Sequence, residues 1–464
     1  MYDFLNKNLT NIYLYHSFII MGELLIVVVL VHMLYKRRTP ASMIAWFLSM
    51  ILLPYISIIF YFIFGLRKRK SRYKKDFIEL KQKKDYFIKS NPVSEVLNSH
   101  GISEANENEH FELHTDSIKA YKKFMECIRD ARNSICISTY VFKYDNTTKE
   151  IINALIIKAK NGVKVKILID SLGSLSLYFF QSKLKKLKDS GVKIEFFMPI
   201  FKMPFRNYIN LRNHRKIYLF DNKKVLSGGM NLSEEYFGKD NKKRYEDMLF
   251  FIEGSSVKSF FNIFKSDWFY ASKEKLKYFN DTEQKTGDTT IQVIPSGPDM
   301  PSDALYEALL CAIYNAKKRI WIVTPYFIPD ISLMQGLIIA KHKGLDIKLI
   351  TPKKSDHKIV DLTRTSYMKE LEEVGIKVDL YNGAMLHAKA ILFDESVMLG
   401  SVNLDNRSLF LNYEVATFIY SSRVINEVET WMINLLSKSS KGIKKVSGPE
   451  RIIENIMRIM APQL

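Results

Sequence analysis

The sequence predicts an α/β protein: two duplicated α/β domains with mixed, largely parallel sheets facing each other, preceded by an N-terminal pair of membrane helices. Three observations lead there. Two apolar runs open the chain, the remainder passes twice through one helix–strand pattern, and each pass carries the same short His-x-Lys motif. At 464 residues the chain suits two or three units, each long enough to bury a core. Residues 1–75 read as a membrane anchor, 76–109 as a linker, 110–285 as the first repeat domain and 286–464 as the second, which ends in an amphipathic helix.

The first apolar run, Ser17 to Tyr35, is interrupted only by Glu23 and His32 and is just long enough at helical rise to cross a bilayer core. Glu23 has no second charge to pair with, so it reads as a helix-packing or near-interface residue. After Lys36, Arg37, Arg38, Thr39 and Pro40 comes a second run, Ala41 to Phe64, with Pro54 inside it. A cleaved signal peptide fits poorly, since no basic stretch precedes the first run and the second follows at once. Arg67, Lys68, Arg69, Lys70, Arg72, Lys74 and Lys75 then outnumber the basic residues between the runs. The positive-inside bias therefore puts a multi-pass protein in the cell membrane with its repeat domains cytoplasmic; a re-entrant hairpin is the alternative topology. Lys plus Arg exceed Asp plus Glu by 69 to 49, a net charge of +20 that attracts anionic partners, lipid headgroups or nucleic acid. The three cysteines, Cys127, Cys136 and Cys311, lack metal or disulfide spacing and read as buried thiols.

In the repeat, Ile128–Phe142 (IRDARNSICISTYVF) matches Ile313–Phe327 (IYNAKKRIWIVTPYF), and Gly162–Asp170 matches Gly344–Pro352. Each copy reads as helix, buried strand, helix, strand. Gly191 and Gly375 each begin a further strand. The first copy is longer before its motif by a segment near Pro199 to Arg212, expected to form a lip that meets lipid.

The chemistry repeats as well. His214, Lys216 and Asp221, followed by Gly228-Gly229-Met230-Asn231, correspond to His387, Lys389 and Asp394, followed by Gly400-Ser401-Val402-Asn403. Residues two apart on a strand share a face, so each motif offers an imidazole beside an ammonium. Transfer at a phosphodiester needs a nucleophile, an acid for the leaving alkoxide and positive charge on the non-bridging oxygens. Two such pairs supply all three: one imidazole attacks phosphorus, the other protonates the departing oxygen, and Lys216, Lys389, Asn231 and Asn403 hold the phosphate. No metal or other cofactor is required. Each histidine needs a carboxylate to fix its tautomer, and the candidates are Asp247 and Glu414, each on the next apolar strand after its motif. Asp247 is expected to orient His214. Asp221 and Asp394 sit at odd spacing from their lysines and are expected to support structure.

These motifs resemble the phospholipase D superfamily, and over essentially the whole chain the sequence resembles the bacterial cardiolipin synthases. The paired N-terminal helices, Ser296-Gly297-Pro298-Asp299, Tyr326 to Asp330, Asn403 to Ser408, Asn412-Tyr413-Glu414 and the C-terminal amphipathic run look like that family's segments. Where the family commonly has Trp-Arg-Asp this chain has Tyr245-Glu246-Asp247. The resemblance implies transfer of a phosphatidyl group from one phosphatidylglycerol to another, with glycerol released through a phosphohistidine. It makes His214 the nucleophile and His387 the general acid/base. The partners it implies are phosphatidylglycerol, anionic lipid and the membrane, without nucleic acid, and it leaves an oligomer open. Competing readings are a phospholipase D using water, a transferase with another alcohol acceptor and, more distantly, a nuclease.

Overall fold

The computed structural model describes residues 2–36, 40–65, 91–200, 210–238, 244–278, 287–443, 448–458 and 461. The Arg37–Thr39 loop, the basic run Arg67–Lys75 and residues 201–209 of the expected lip lie outside them. Helices α1 (Tyr2–Tyr35), α2 (Pro40–Leu52) and α3 (Pro54–Phe64) form one unit, and the repeat domains form another.

Among the described residues only α1 is long and apolar enough to cross a bilayer, over the 25 residues Asn11–Tyr35. The second apolar run is two helices rather than one. Pro54 has no N–H to give and its ring opposes the carbonyl of the preceding turn, so the helix stops at Leu52 and restarts with Pro54 in its first turn. With 13 and 11 residues, α2 and α3 each fall short of the roughly 20 needed to span a hydrocarbon core. The expected pair of spanning helices is therefore one long helix and a broken hairpin. Val29 and Met33 of α1 are buried with Met50 of α2 and Ile58 and Tyr61 of α3. The Tyr61 hydroxyl lies 2.8 Å from His32 Nδ1, and Tyr55 donates to the Phe18 carbonyl. Glu23 is exposed on α1.

The strands of the first half are β1 (Asn106–His114), β2 (Ser134–Thr139), β3 (Lys164–Asp170), β4 (Lys193–Phe197), β5 (Ile217–Phe220), β6 (Lys224–Gly228) and β7 (Leu249–Glu253). Those of the second are β8 (Thr289–Ser296), β9 (Arg319–Val323), β10 (Phe327–Ile328), β11 (Asp346–Pro352), β12 (Lys377–Tyr381), β13 (Ala390–Leu392), β14 (Val397–Gly400), β15 (Leu404–Asp405), β16 (Glu414–Ile419) and β17 (Ser439–Lys441). The first half runs β4-β3-β2-β5-β6-β7-β1 across its sheet, and the second runs β12-β11-β9-β13-β14-β16-β8. The orders correspond strand for strand. Antiparallel pairing of β1 with β8 fuses them into one continuous sheet of 15 strands, with β17 at one edge, where two separate sheets were expected.

Within this sheet parallel pairing is confined to β2-β3-β4 and β9-β11-β12, where helices provide the crossovers, while β10 and β15 form a separate parallel pair. The strands between are antiparallel, and tight hairpins make two of these junctions, β5–β6 and β13–β14. The β5–β6 turn puts Asp221 and Asn222 at φ of 53° and 54°, the left-handed geometry of a tight hairpin turn.

Helices cover the sheet with apolar stripes. The helix Ser117–Asp130 is started by Asp116, whose carboxylate accepts from the N–H groups of Ile118 and Lys119, and it buries Ala120, Phe124, Cys127 and Ile128. Burial pushes the thiols of Cys127 and Cys136 up to about 12. Residues 91–109, expected as linker, are folded: Pro92–Ser99 is a helix packed on the helix Ala304–Asn315, and β1 begins at Asn106. The C-terminal helix Gly448–Met457 lies on the helix Lys358–Glu373, tied by Lys369 to Glu454 at 2.6 Å.

Candidate active site

Each His-x-Lys motif occupies an extended run just before a strand, β5 in the first half and β13 in the second. These runs pair with the opposite half. His214 N–H donates to Tyr413 O at 2.9 Å and Tyr413 N–H to Arg212 O at 2.8 Å, while His387 N–H donates to Glu246 O at 2.7 Å and Glu246 N–H to Met385 O at 2.8 Å. The residue after each of those partners is a carboxylate, so each half delivers its acid to the other half's histidine. Glu414 holds His214 Nδ1 with its two oxygens at 2.9 and 3.1 Å, and Asp247 holds His387 Nδ1 at 2.7 Å. The expectation that Asp247 orients His214 is thereby corrected. Spacing along the chain suggested a carboxylate from the same repeat, and only the cross-half bridges exchange them.

Burial dominates the electrostatics. It holds His214 below its ordinary value, and it brings His387 down to about 4, aided by the Lys389 ammonium. Lys216 is lowered well below its usual range and Lys389 to about 8, again chiefly by burial. Burial alone would raise Asp247 and Glu414, but the facing imidazoles and lysines outweigh it and keep both carboxyls low. Two carboxylates, two neutral imidazoles and two lysines of reduced basicity thus share a water-poor region. In each pair the Nδ1–carboxylate contact leaves Nε2 as the nitrogen available for chemistry.

His214, His387, Asn231 and Asn403 all line one cavity of about 690 Å³. Lys216 and Lys389 are buried behind that wall, each with its ammonium on the carbonyl of its own motif histidine. Lys389 Nζ also lies 2.8 and 3.0 Å from the two ring nitrogens of His387. Phosphate contact requires each ammonium to turn from that carbonyl toward the cavity. Asn231 Oδ1 accepts from Val141 N–H at 3.1 Å and its amide bonds the Tyr236 hydroxyl, whereas Asn403 Oδ1 has no partner among the described residues.

Asp221 and Asp394 act as supports, remote from the histidine contacts. Asp221 collects the N–H groups of Arg132, Asn133 and Ser134 at 2.6–2.8 Å. Asp394 collects those of Lys317, Lys318 and Arg319 at 2.6–3.2 Å. Each ties the hairpin after its motif to the start of the neighbouring strand, β2 or β9.

Several residues of the site carried no role in the sequence reading. Tyr140 packs edge-on against the His214 ring, centroids 5.0 Å apart, and Tyr236 does the same to His387 at 5.2 Å. Arg215, between the motif residues, is fully buried and bonds Asp267 at 2.6 Å, Asp299 at 3.0 Å and the carbonyl of Glu414 at 3.0 Å. Arg212, the end of the expected lip, is likewise buried on Asp170. The visible signal for Asp299 was its Ser-Gly-Pro-Asp segment. Gly229 abuts Asp247 so closely that a Cβ there would sit 2.1 Å from the carboxylate. At the corresponding place in the second half, Ser401 instead donates its hydroxyl to Glu414.

A duplicated sheet that points two carboxylate-braced histidines, one from each half, into a single cavity places the protein in the phospholipase-D-like class of phosphoryl-transfer folds. A family model described as cardiolipin synthase, PLD-like domain, matches residues 124–268 and 309–436, and one described as phospholipase D-nuclease N-terminal matches 24–65. Cardiolipin synthase 1 of Bacillus anthracis is 31% identical over 461 residues, covering 92% of this chain and 90% of that protein. A cardiolipin synthase of Clostridium perfringens is 32% identical, covering 92% and 95%. Among solved structures, phosphatidylserine synthase of Haemophilus influenzae shares the fold with a TM-score of 0.63 at 16% identity, over 81% of this chain and all of that one. The chain belongs to the cardiolipin synthase family of phospholipase-D-like proteins.

Proposed function

We propose that this protein is a membrane-bound cardiolipin synthase that joins two phosphatidylglycerols and releases glycerol. Family membership over nearly the full chain supports the reaction, and the cross-braced histidine pair in one cavity carries the mechanism. His214 Nε2 attacks the phosphorus of the first lipid. The P–O bond to glycerol breaks, and His387, protonated once the anionic substrate raises its basicity, gives its proton to the leaving oxygen. A hydroxyl of the second lipid then returns a proton to His387 and attacks phosphorus, and the P–N bond breaks to regenerate His214. Lys216, Lys389 and the Asn231 and Asn403 amides neutralise the developing charge on the non-bridging oxygens. Helix α1 spans the membrane in this reading, α2 and α3 form a re-entrant hairpin, and the basic run after residue 66 keeps the catalytic body on the cytoplasmic face.

The test is a product assay with purified full-length protein and phosphatidylglycerol in vesicles. Cardiolipin and free glycerol are expected in equal amounts, and phosphatidic acid without cardiolipin would make the protein a hydrolase. Mass spectrometry of His387→Ala after exposure to lipid is expected to find a phosphatidyl adduct on His214. No adduct in His387→Ala, beside an adduct on His387 in His214→Ala, reverses the assignment of nucleophile.

A further inference from the structure

Besides the two lysines behind its wall, the cavity has basic residues in its lining: Arg212, Arg407, His357 and Lys358. Arg212 is committed to protein partners: its Nε donates to both oxygens of Asp170 at 3.1 Å and its Nη2 to Ser171, Phe197 O and Met198 O. His357 and Lys358 are exposed. Arg407 is half-buried and interacts electrostatically with the Asp405 and Asp170 carboxylates and with Tyr140, the ring packed against His214. The same cavity is lined by two residues, 5% and 6% exposed, whose side-chain oxygens have no hydrogen-bond partner among the described residues, Oδ1 of Asn403 and Oδ1 of Asn412. Buried polar atoms without partners are uncommon, and two on the lining of one cavity suit a ligand that brings a hydrogen-bond donor.

The inference rests on the phosphatidylglycerol-joining reading, and that chemistry requires a second anion site. Two phosphates enter the cavity and one reacts. The other stays ionised one glycerol unit from the attacking hydroxyl, and a phosphate is not lodged in a partly buried site without a cation. We propose that Arg407 binds this non-reacting phosphate of the acceptor phosphatidylglycerol, while the unpartnered oxygen of Asn412 accepts a hydrogen bond from its non-attacking glycerol hydroxyl. Arg407 would then select an anionic lipid, rather than water or a free alcohol, as the acceptor.

The experiment compares two acceptors on one phosphatidyl-enzyme. Full-length protein in vesicles of phosphatidylglycerol is assayed for cardiolipin, and separately for incorporation of labelled free glycerol into phosphatidylglycerol, a transfer whose acceptor has no phosphate. In Arg407→Gln the cardiolipin rate is expected to fall about 10- to 100-fold more than glycerol incorporation, the loss of one charge-assisted contact. Arg407→Lys is expected to recover part of the ratio. A ratio unchanged from wild type in both variants overturns the proposal, whether both rates fall together or neither does. If Arg407→Gln does not fold, the ratio in Arg407→Lys decides by the same criterion. Wild-type protein that incorporates glycerol and forms no cardiolipin would instead refute the synthase reading, and this inference with it.

Discussion

At the scale of single residues, the site is governed by burial. Because Lys389 is brought to about 8, kcat/KM for phosphatidyl transfer is expected to fall as pH rises through about 8, where the free enzyme loses that ammonium; a pH–rate profile checks it. Stability responds at the acidic end. His387 is held at about 4 from an ordinary 6.5, so between those values the unfolded chain binds a proton that the folded chain refuses. The folded state is therefore expected to lose stability as pH falls from 6.5 toward 4. Thermal unfolding of detergent-solubilised protein should show a falling Tm in that window, and a weaker fall in His387→Gln. Asp247→Asn leaves the His387 ring in place but removes its orienting charge. It is expected to cost about 10²-fold or more in kcat while the protein stays folded, measured by cardiolipin formation beside circular dichroism.

At the scale of elements, the extended runs into β5 and β13 do the positioning, and the buried ion network beneath them keeps them in place. Arg215 joins the first-half motif to Asp267 and to Asp299 of the second half, with the Glu414 carbonyl as a third anchor. Arg215→Gln leaves two buried carboxylates facing each other, with an expected loss of about 3–5 kcal/mol, read as a large drop in Tm. The second motif has Ala388 at the corresponding place, so the two halves are not braced alike. The repeat was plain from the sequence, but the sheet pairing was not. Matching blocks such as Ile128–Phe142 and Ile313–Phe327 announce α/β units, whereas the antiparallel β5–β6 pair turns on Asp221-Asn222, whose left-handed backbone a spacing argument does not register. Pro54 was visible as a residue, yet its effect was a break that leaves two helices too short to span.

At the scale of the whole molecule, the two halves complete each other. Neither histidine has its carboxylate within its own repeat, so residues 1–285 or 286–464 alone are expected to give no cardiolipin, and mixing the two fragments restores activity only if the β1–β8 seam re-forms. Lipid-product analysis of the separate and mixed fragments checks this. The sequence by itself determined the duplication, the pairs His214/Lys216 and His387/Lys389, the amides Asn231 and Asn403, and the supporting character expected of Asp221 and Asp394. Those follow from local periodicity and from the repetition of reactive residue types, which are properties of the linear chain. Only the tertiary structure decided which carboxylate serves which histidine, that the lysines lie behind the cavity wall, and that Tyr140, Tyr236, Arg215 and Arg407 belong to the site. These depend on contacts between residues as far apart as His214 and Glu414, and a pseudo-twofold sheet can brace each histidine from its own half or from the other. The backbone bridges of Tyr413 to His214 and of Glu246 to His387 fix the crossed arrangement, and they exist only once the halves have closed on each other.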